Sequence, residues 1–478
     1  MAAANLQQLL DENPDIVGLL RNSQIGRFIF PVVPSEFTNW VRESQAARKS
    51  AVLFDQSHHM VNLFISGIDA FKLLNETGVN SMSNFAVDSA KQFVCVAPTG
   101  GVVGDGIVFR LAEDEFIFVG RAPVANWLNF RAQTGGYHVE VRYDERSPSR
   151  PYGQAIQRDL WRYQIQGPNA WQIIEKLNGA PVEQQKFFRL GYLNVNGERV
   201  RSLRHGMAGA PGLELWGPYE SRDRVRDAIM EAGREFGLEP CGARAYPYAT
   251  LESGWIPSPL PAIYTDSELR SYREWLPATG YEATASLAGS YISPSIDAYY
   301  LNPWELGYGN FVKFDHEFIG RDALQAIDPS EQRRKSTLAW NADDVADLLA
   351  APVRQEGART QYFDLPLATT GTSSFDSVLD ADGAIVGVSM FTGYSANERQ
   401  VLSLAVLDSA VPVGAEVHVV WGEPDDTRKV TIEPHEQVRI RAVVSPTPYS
   451  PVARATYRSG WRTAAVGQQG SSQLGANR

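Results

Sequence analysis

The spacing of apolar residues predicts short helices near the start and in the middle of the chain. Asn5 precedes a group of leucines at helical spacing within residues 6–10, and an asparagine in that position caps the first turn of a helix. A longer helix is predicted after Ser221, where apolar residues between 225 and 236 share one face. Gly237 is the predicted C-terminal stop of this helix.

Alternating apolar and polar residues predict strands between these helices. Residues 61–65 alternate in this way, and EFIFV at 115–119 and LELWGP at 213–218 are also predicted strands. Helices and strands mixed in this order indicate an α+β fold. The segment PTGGVVGDGIVFR at 98–110 predicts a hairpin. Its predicted turn residues are Gly100, Gly101, Gly104 and Gly106.

A segment rich in Pro, Ser and Tyr occupies residues 255–303. Repeated prolines exclude a regular helix here, because proline lacks a backbone donor and fixes φ. We expect an ordered segment whose aromatic residues serve either in a linker or in a lid or wall over a pocket.

The charged segment DPSEQRRK at 328–335 separates two apolar stretches and is the predicted domain boundary. Beyond it, VHVVW at 417–421 and QVRIRAVV at 437–444 fit a small all-β C-terminal domain. Residues 466–478 contain no apolar face and are predicted to be a disordered tail.

Composition and charge restrict the class of protein. The 478 residues exceed one typical core, so two to four domains are expected. A net charge of -11 argues against a nucleic-acid binder. The only cysteines, Cys95 and Cys241, exclude a disulfide-stapled secreted fold and a cysteine-ligated zinc site. Without a signal peptide or a membrane-length apolar run, the chain is predicted to be soluble and cytoplasmic.

Common catalytic signatures are missing from the sequence. HExxH, CxxC, GxxxxGK[ST] and GxSxG do not occur, and no GxGxxG follows a strand and opens a helix. Metalloprotease, redox, P-loop, dinucleotide-binding and serine-hydrolase functions are therefore disfavoured.

Four polar residues remain as candidates for chemistry. On a strand, His58 and His59 would point to opposite faces, so that one of them at most would serve a pocket as an acid or base. Arg121 follows EFIFVG and is either a carboxylate-binding residue at a strand end or a surface arginine. Glu214 lies in an apolar run. It either faces outward or faces inward and accepts from a donor such as a pterin ring.

Five ordered segments resemble the aminomethyltransferase T-protein of the glycine cleavage system. The resemblance extends from about residue 20 to residue 455, and five motifs in the correct order are more specific than any one of them. The segments are FDQSHHM at 54–60, GDGIVFRLAEDEFIFV at 104–119, YQIQGPNAW at 163–171, EFGLEPCGARAYPYATLESGW at 235–255 and NPWELGYGNFVKFDHEFIGRDAL at 302–324.

Within this superfamily, the chain is most similar to the tetrahydrofolate-dependent aryl O-demethylases, which act on vanillate, 3-O-methylgallate or syringate. The segments that carry this resemblance are LRNSQIG at 20–26, VGRAPVANW at 119–127, LRHGMAGAPGLE at 203–214, LESGWIPSPLPAIYT at 251–265 and MFTGYS at 390–395. The resemblance implies transfer of a methyl group from a methoxylated aromatic acid to N5 of tetrahydrofolate.

The resemblance also implies an architecture. The family has an α+β fold of three domains in a ring around a central folate channel. We therefore expect a folate-binding region of two interleaved α+β domains in residues 1–328 and a C-terminal β-barrel or jelly-roll-like domain in residues 335–460. The expected assembly is a monomer or small homo-oligomer without nucleic acid, membrane or metal.

Site residues follow from the same resemblance. Tyr246 falls on the family's catalytic tyrosine, with His59 and Gln56 on pocket residues beside it. Arg121 falls on the arginine that engages the aromatic substrate. Glu214 is expected to hold the pterin, with Trp255 as a wall of its site.

One departure from the family affects the expected substrate. Phe28 and Phe30 replace tyrosines of the vanillate-acting members, which favours a dimethoxylated ring such as syringate. In the expected mechanism, Tyr246 protonates the departing phenolic oxygen, because the two phenols have similar reference pKa values of about 10.

Three other functions remain as alternatives. An aminomethyltransferase of the glycine-cleavage type would need a lipoyl-protein partner, and the aromatic segment 255–303 argues against it. Non-catalytic folate-binding relatives carry a K-G-C-[YF]-x-G-Q motif that is absent here. A flavin-linked demethylating dehydrogenase would need an additional Rossmann domain.

Overall fold

The computed structural model describes residues 3–149, 154–183, 185–257, 259–357 and 359–458. The predicted disordered tail at 466–478 lies outside these residues. The helices are α1 Leu6–Glu12, α2 Ile16–Arg21, α3 Trp40–Lys49, α4 Ala70–Thr77, α5 Ala122–Thr134, α6 Ala170–Asn178, α7 Arg222–Gly233, α8 Pro247–Ser253, α9 Arg270–Trp275, α10 Arg321–Gln325, α11 Ala342–Ala350 and α12 Pro451–Arg458.

The strands alternate with these helices over most of the chain. They are β1 Ala51–Asp55, β2 Val61–Ser66, β3 Ser89–Val96, β4 Val102–Arg110, β5 Glu115–Gly120, β6 Glu140–Asp144, β7 Leu160–Gln166, β8 Leu190–Val195, β9 Glu198–Arg204, β10 Gly212–Pro218, β11 Leu238–Pro240, β12 Leu287–Ala288, β13 Arg334–Trp340, β14 Ser373–Ser374, β15 Asp376–Leu379, β16 Ile385–Ser395, β17 Gln400–Leu407, β18 Glu416–Trp421 and β19 Val438–Ser445.

Two large open sheets and a closed barrel organise the molecule, and β12 and β14 form a separate two-stranded parallel sheet. The six-stranded sheet has the order β11-β1-β7-β10-β9-β8, and the five-stranded sheet has the order β3-β4-β5-β2-β6. The barrel closes in the order β13-β17-β16-β15-β18-β19. β1 pairs with β11 in parallel and with β7 in antiparallel fashion. The predicted α+β class with an all-β C-terminal part is therefore confirmed.

The hydrophobic core joins the barrel to the five-stranded sheet. Alternate residues of β17 belong to different clusters: Val401 and Ala405 pack inside the barrel. Leu402 and Leu404 belong instead to the large cluster that contains Phe118 of β5. Since successive side chains of a strand point to opposite faces, β17 is buried on both of its faces.

A smaller cluster packs the two open sheets against each other. Phe109 and Val119 of the five-stranded sheet meet Leu203 and Trp216 of the six-stranded sheet. The ends of strands from both sheets, together with barrel residues, surround one central cavity.

The hairpin prediction for residues 98–110 needs a correction. The turn lies at residues 97–101, where Gly100 has a φ of +85° and the Ala97 amide donates to the Gly101 carbonyl at 2.8 Å. Gly104 and Gly106 instead lie within β4. A Cβ at Gly106 would come within 2.4 Å of the Phe118 ring, so this glycine makes room for a neighbouring aromatic side chain.

The aromatic segment 255–303 is part of the core and not a linker. Tyr264, Tyr272 and Tyr299 are buried in the large cluster. Trp255 and Tyr281 line the central cavity, so the segment also forms a wall of this cavity. Within the described ranges, no helix is long and apolar enough to cross a membrane.

Candidate active site

The central cavity has a volume of about 720 Å³, within the range of small-molecule sites. All eight residues predicted to form the site line it, although they are spread over more than 220 positions of the sequence. They are Phe28, Phe30, Gln56, His59, Arg121, Glu214, Tyr246 and Trp255.

The connection between β1 and β2 carries Gln56 and His59 into the cavity. The two histidines do not lie on a strand, which was the case considered from the sequence, because residues 57–59 form a turn after β1 ends at Asp55. Only one histidine faces the cavity, as expected. His58 is buried elsewhere, with Nδ1 at 2.8 Å from Ser147 Oγ and Nε2 at 3.1 Å from the Tyr219 hydroxyl.

A buried arginine holds this turn in place. The Arg158 guanidinium donates to the carbonyl oxygens of Ser57 at 2.6 Å and Met60 at 3.0 Å. Its charge is neutralised by Asp144, with Nε at 2.9 Å from Oδ1 and Nη2 at 3.0 Å from Oδ2. Arg158 therefore fixes both ends of the segment that presents His59. Arg158 was not predicted as a site residue, because the two carbonyls that it binds lie about a hundred positions away in the chain.

Helix α8 places Tyr246 and Trp255 at opposite ends of one short element. Pro247 begins the helix, where the lack of an amide donor costs nothing. Gly254 ends it with a φ of +71° and donates to the carbonyls of Thr250 and Leu251. Tyr246 directly precedes Pro247, and Trp255 directly follows Gly254. Both side chains line the cavity.

The Tyr246 hydroxyl lies in a dense group of polar and aromatic side chains. Gln56 Nε2 donates to it at 2.9 Å, and His59 Nε2 lies 3.5 Å away. The Phe30 ring is 4.3 Å from the Tyr246 ring, centroid to centroid. Because Gln56 is the donor, the hydroxyl hydrogen remains available to an acceptor in the cavity.

Burial determines where the proton resides in this group. Desolvation lowers the pKa of His59 to about 3, and the positive charge of Arg121 adds to the effect. Desolvation also raises the pKa of Tyr246, while the hydrogen bond from Gln56 acts in the opposite direction. Near neutral pH, His59 is therefore neutral and Tyr246 keeps its proton. The expectation that the pKa of Tyr246 matches that of a phenol in water is therefore wrong, because burial raises the pKa of this tyrosine.

Phe28, Phe30 and Arg121 form an aromatic and cationic wall next to Tyr246. The Phe28 and Phe30 rings meet edge to face at 5.3 Å. Arg121 follows β5 and precedes the first residue of α5, and its Cζ lies 5.1 Å from the Phe28 ring centroid. The arginine predicted at a strand end thus faces the cavity and is not a surface residue.

Glu214 of β10 faces inward and is 4% exposed. Arg162 of β7 donates from Nη1 to Oε1, and His205 Nδ1 lies 3.7 Å from Oε2. The Arg162 guanidinium is packed between aromatic rings, with Cζ 5.1 Å from Phe109 and 5.2 Å from Trp216. The carboxylate therefore has a buried counter-charge within the protein that no local sequence pattern indicates.

Asp105 is a further polar residue of the cavity and was not among the site residues predicted from the sequence. Its Oδ2 accepts from Gln92 Nε2 at 2.7 Å, from the Tyr308 hydroxyl at 3.0 Å and from Trp255 Nε1 at 3.2 Å. Burial raises its pKa. The aspartate between two glycines in the hairpin segment was the available signal, but its pairing with Tyr308 depends on the tertiary fold.

Across the described ranges, no group of three or more His, Cys, Asp or Glu side chains is placed to hold a metal ion. Around the Tyr246 hydroxyl, the cavity thus combines the neutral imidazole of His59, an aromatic wall with the Arg121 cation, and the buried carboxyl groups of Asp105 and Glu214. Proton donation and the binding of an aromatic anion are the chemistry that this arrangement supports.

Comparisons with known proteins identify the family. The GCVT N-terminal domain matches residues 23–258. Syringate O-demethylase of a Sphingobium species is 45% identical over 96% of this chain and 99% of its own. Sesamin methylene transferase of a Sinomonas species is 27% identical over 88% of this chain and 91% of its own.

A solved structure supports the fold. The aminomethyltransferase T of the glycine cleavage system from Bartonella henselae aligns over 93% of this chain and 96% of its own, with a TM-score of 0.58 and 17% identity. This shared fold and the 45% identity to an O-demethylase over 96% of the chain confirm the resemblance that the sequence motifs indicated. The chain belongs to the O-demethylase family of the aminomethyltransferase superfamily.

Proposed function

We propose that this protein is a methyltransferase that demethylates a methoxylated aromatic acid, with tetrahydrofolate as the methyl acceptor. The products are a phenol and 5-methyltetrahydrofolate. The observation that carries the proposal is the single cavity in which a protonated tyrosine, an aromatic wall with an arginine, and the Glu214–Trp255 region lie together.

The residues of the cavity fit a reduced folate. Glu214 lines the cavity and uses Oε1 for Arg162, and a carboxylate has acceptor capacity for further donors such as the amide and amine of a pterin. Trp255 offers a ring face, and its Nε1 is fixed by Asp105 and Tyr308. When bound, tetrahydrofolate supplies the nucleophilic nitrogen that accepts the methyl group.

The protein's own contribution is to protonate the leaving oxygen and to orient the aromatic ring. A bare phenolate is a poor leaving group, and the Tyr246 proton lowers the barrier to its departure. Gln56 donates to the Tyr246 oxygen at 2.9 Å and stabilises the negative charge that remains there. His59 stays neutral and restrains the hydroxyl, and Arg121 binds the substrate carboxylate.

Phe28 and Phe30 favour syringate over vanillate within this substrate class. Their edge-to-face pair presents carbon to the substrate ring, so a second methoxy group packs without burying an unpaired hydroxyl. The name of the syringate O-demethylase relative agrees with this preference. A cytoplasmic location and a monomer or small homo-oligomer remain predictions.

The test is to incubate the purified protein with tetrahydrofolate and syringate, vanillate or 3-O-methylgallate, and to measure both products by liquid chromatography. We expect equal amounts of phenol and 5-methyltetrahydrofolate, with none when either reactant is omitted. Absence of 5-methyltetrahydrofolate with every methoxybenzoate would refute the proposal. Aminomethyl transfer from a loaded lipoyl protein in the same assay would favour the glycine-cleavage alternative.

A further inference from the structure

Three buried glutamines connect Tyr246 to the interior of the six-stranded sheet. Gln56, directly after β1, and Gln164 and Gln166 of β7 together form the glutamine network. Gln56 Nε2 donates to the Tyr246 hydroxyl at 2.9 Å and to Gln164 Oε1 at 3.0 Å. Gln164 Nε2 in turn donates to Gln166 Oε1 at 3.3 Å. Both glutamines of β7 are fully buried, so water does not compete for these hydrogen bonds.

A backbone amide fixes the direction of the hydrogen bonds in the glutamine network. The Met207 amide donates to Gln166 Oε1 at 3.0 Å, and a backbone N–H has no acceptor role. Gln166 therefore presents its oxygen to Gln164, which must turn its amino group towards that oxygen. Gln164 Oε1 then faces Gln56, so Gln56 must direct its own amino group towards Gln164. The Tyr248 hydroxyl at 3.3 Å from Gln166 Nε2 suits either direction, because a hydroxyl both donates and accepts.

The glutamine network holds Gln56 in an orientation that this residue would not adopt by itself. Gln56 Oε1 is buried and has no hydrogen-bond partner among the described residues. The opposite orientation would let this oxygen accept from the Tyr246 hydroxyl, but it would also place the oxygen against Gln164 Oε1. Two acceptors that face each other repel, and Gln164 Oε1 would lose its donor. The network therefore determines that Gln56 donates to Tyr246.

We propose that Gln164 and Gln166 are positioning residues that keep the Tyr246 proton directed into the cavity. When Gln56 donates to the Tyr246 oxygen, the hydroxyl hydrogen is available to the leaving oxygen of the substrate. If Gln56 accepted instead, it would hold this hydrogen itself. The inference rests on the proposed function, in which Tyr246 gives up this proton. Gln164 and Gln166 are not among the described residues that line the cavity, so both act through Gln56.

Two substitutions of Gln164 distinguish this role from a structural one. Gln164→Met has a similar length but no acceptor for Gln56, so kcat should fall about tenfold while KM changes less than about twofold. In Gln164→Glu, burial favours the neutral carboxyl group. Its carbonyl oxygen accepts from Gln56 and its O–H donates to Gln166, as the amide does. We therefore expect kcat of Gln164→Glu to stay within about threefold of the value for the unmodified protein.

The order of these two variants decides between the roles. If Gln164 only filled the interior, a buried carboxyl group would be at least as harmful as methionine, because apolar side chains are tolerated better at buried positions. A lower kcat for Gln164→Glu than for Gln164→Met would therefore overturn the proposal. An unchanged kcat in Gln164→Met would also overturn it.

Gln361→Met is the matched control for the loss of a buried amide. Gln361 is 3% exposed, and its Oε1 accepts from the Glu423 amide at 2.7 Å. It is not among the described residues of the cavity wall. This variant should lower the thermal unfolding temperature and leave kcat unchanged. An equal fall in kcat in Gln361→Met and Gln164→Met would assign the effect to general destabilisation and contradict the proposal.

A second variant and a double variant keep the test valid if Gln164→Met does not fold. Gln166→Met removes the acceptor that orients Gln164, so kcat should fall at least about threefold at constant KM, and an unchanged kcat would contradict the proposal. Combined with Tyr246→Phe, the same substitution should cause no further loss, because no proton remains to be directed. A full additional loss in the double variant would contradict the proposal.

Binding of 3-hydroxy-4-nitrobenzoate without tetrahydrofolate separates this inference from the proposed function. Its hydroxyl takes the ring position of a methoxy oxygen, and its coloured phenolate accepts the Tyr246 hydrogen. Gln164→Met should weaken binding of the phenolate about tenfold, and Gln164→Glu should not. This pattern supports the network even if no methyl group is transferred, in which case only the proposed reaction fails. Equal binding by both variants and the unmodified protein contradicts the role of Gln164.

Discussion

At the scale of single residues, the reaction depends on the proton of Tyr246. Its hydroxyl accepts from Gln56 and lies against Phe30 in a buried position. We predict that Tyr246→Phe lowers kcat by about 10²- to 10⁴-fold, the usual contribution of a general acid. The ring is retained, so the dissociation constants of both ligands should change little. Single-turnover formation of 5-methyltetrahydrofolate measures the effect.

Tyr248→Phe is the matched control for this prediction. Tyr248 lies two positions later, is 3% exposed and accepts from Gln166 Nε2 at 3.3 Å, outside the cavity. Loss of its hydroxyl should leave kcat unchanged. Near-normal turnover of the Tyr246 variant, or an equal loss in both variants, would remove the special role of Tyr246.

Phe30 controls the polarity of the wall that faces the substrate. Its ring contacts Phe28 at 5.3 Å and His59 at 5.2 Å. We predict that Phe30→Tyr reduces the ratio of kcat/KM for syringate over vanillate by about tenfold, because the new hydroxyl suits a more polar ring and crowds a second methoxy group. Competition between the two substrates in one reaction gives this ratio directly. An unchanged ratio would place the selectivity elsewhere in the cavity.

At the scale of elements, the turn between β1 and β2 is rigid because Arg158 binds two of its carbonyls. We predict that Arg158→Lys lowers kcat roughly 10- to 100-fold although Arg158 does not line the cavity, since a misplacement of about 1 Å at a reactive group has effects of this size. The free energy of unfolding should fall by about 2–4 kcal/mol, since a buried ion pair is weakened. Steady-state kinetics and urea unfolding measure the two effects.

Arg142→Lys is the control for the effect on the turn. Arg142 of β6 forms an exposed pair with Asp159, and exposed pairs contribute about 0–1 kcal/mol. This variant should retain both activity and stability. If Arg158→Lys also kept full activity, the clamp on the turn would not be needed for the geometry of His59.

The free energy of unfolding should depend on pH, because His58 of this turn is paired with Ser147 and buried in its neutral form. Burial lowers the pKa of His58 to about 4, whereas the unfolded chain has a pKa near 6.5. The unfolded state therefore binds a proton that the native state does not, and stability is lost as pH falls from 6.5 towards 4. The contribution of His58 to the free energy of unfolding is therefore about 2 kcal/mol smaller at pH 5 than at pH 7.

His58→Asn tests this dependence, because asparagine does not titrate. The difference in the free energy of unfolding between the unmodified protein and the variant should shrink by about 2 kcal/mol from pH 7 to pH 5. Urea titrations at both pH values provide the measurement. A difference that stays constant over this range would show that His58 is not a neutral buried group.

Local sequence patterns predicted several helices and strands well, whereas contacts between residues distant in the sequence could not be predicted. The helix capped by Asn5, the strand Val61–Ser66 and the left-handed cap at Gly237, which ends the 3-10 turn Arg234–Phe236 after α7, follow from spacing and cap residues within a few positions. The eight site residues came from family motifs, and the cavity brings them together. Arg158 and Arg162 were missed, because an arginine has no local signal that distinguishes a buried partner from solvent.

At the scale of the whole molecule, the barrel and the rest of the chain share one core. Val388, Leu402, Leu404 and Val406 point out of the barrel and into the cluster that contains Phe118. Buried ionic contacts cross the same boundary: Arg21 of α2 donates to Glu423 Oε2 at 2.9 Å and to the Gly289 carbonyl at 2.7 Å. The predicted boundary at residues 328–335 therefore divides the sequence more clearly than it divides the packing.

This shared core leads to a prediction about residues 335–460, the proposed C-terminal domain. Expressed alone, this segment would expose the outward-facing apolar residues of β16 and β17 and leave Glu423 without Arg21. A contiguous apolar patch of this kind promotes aggregation, and loss of Arg21 leaves Glu423 with Lys429 Nζ at 3.6 Å as its partner cation. We expect an aggregated or dye-binding fragment, whereas the full chain should unfold in a single calorimetric transition. A soluble fragment with its own reversible melting transition would show that the barrel is independent, and the outward face of β17 would then be a docking surface and not part of a common core.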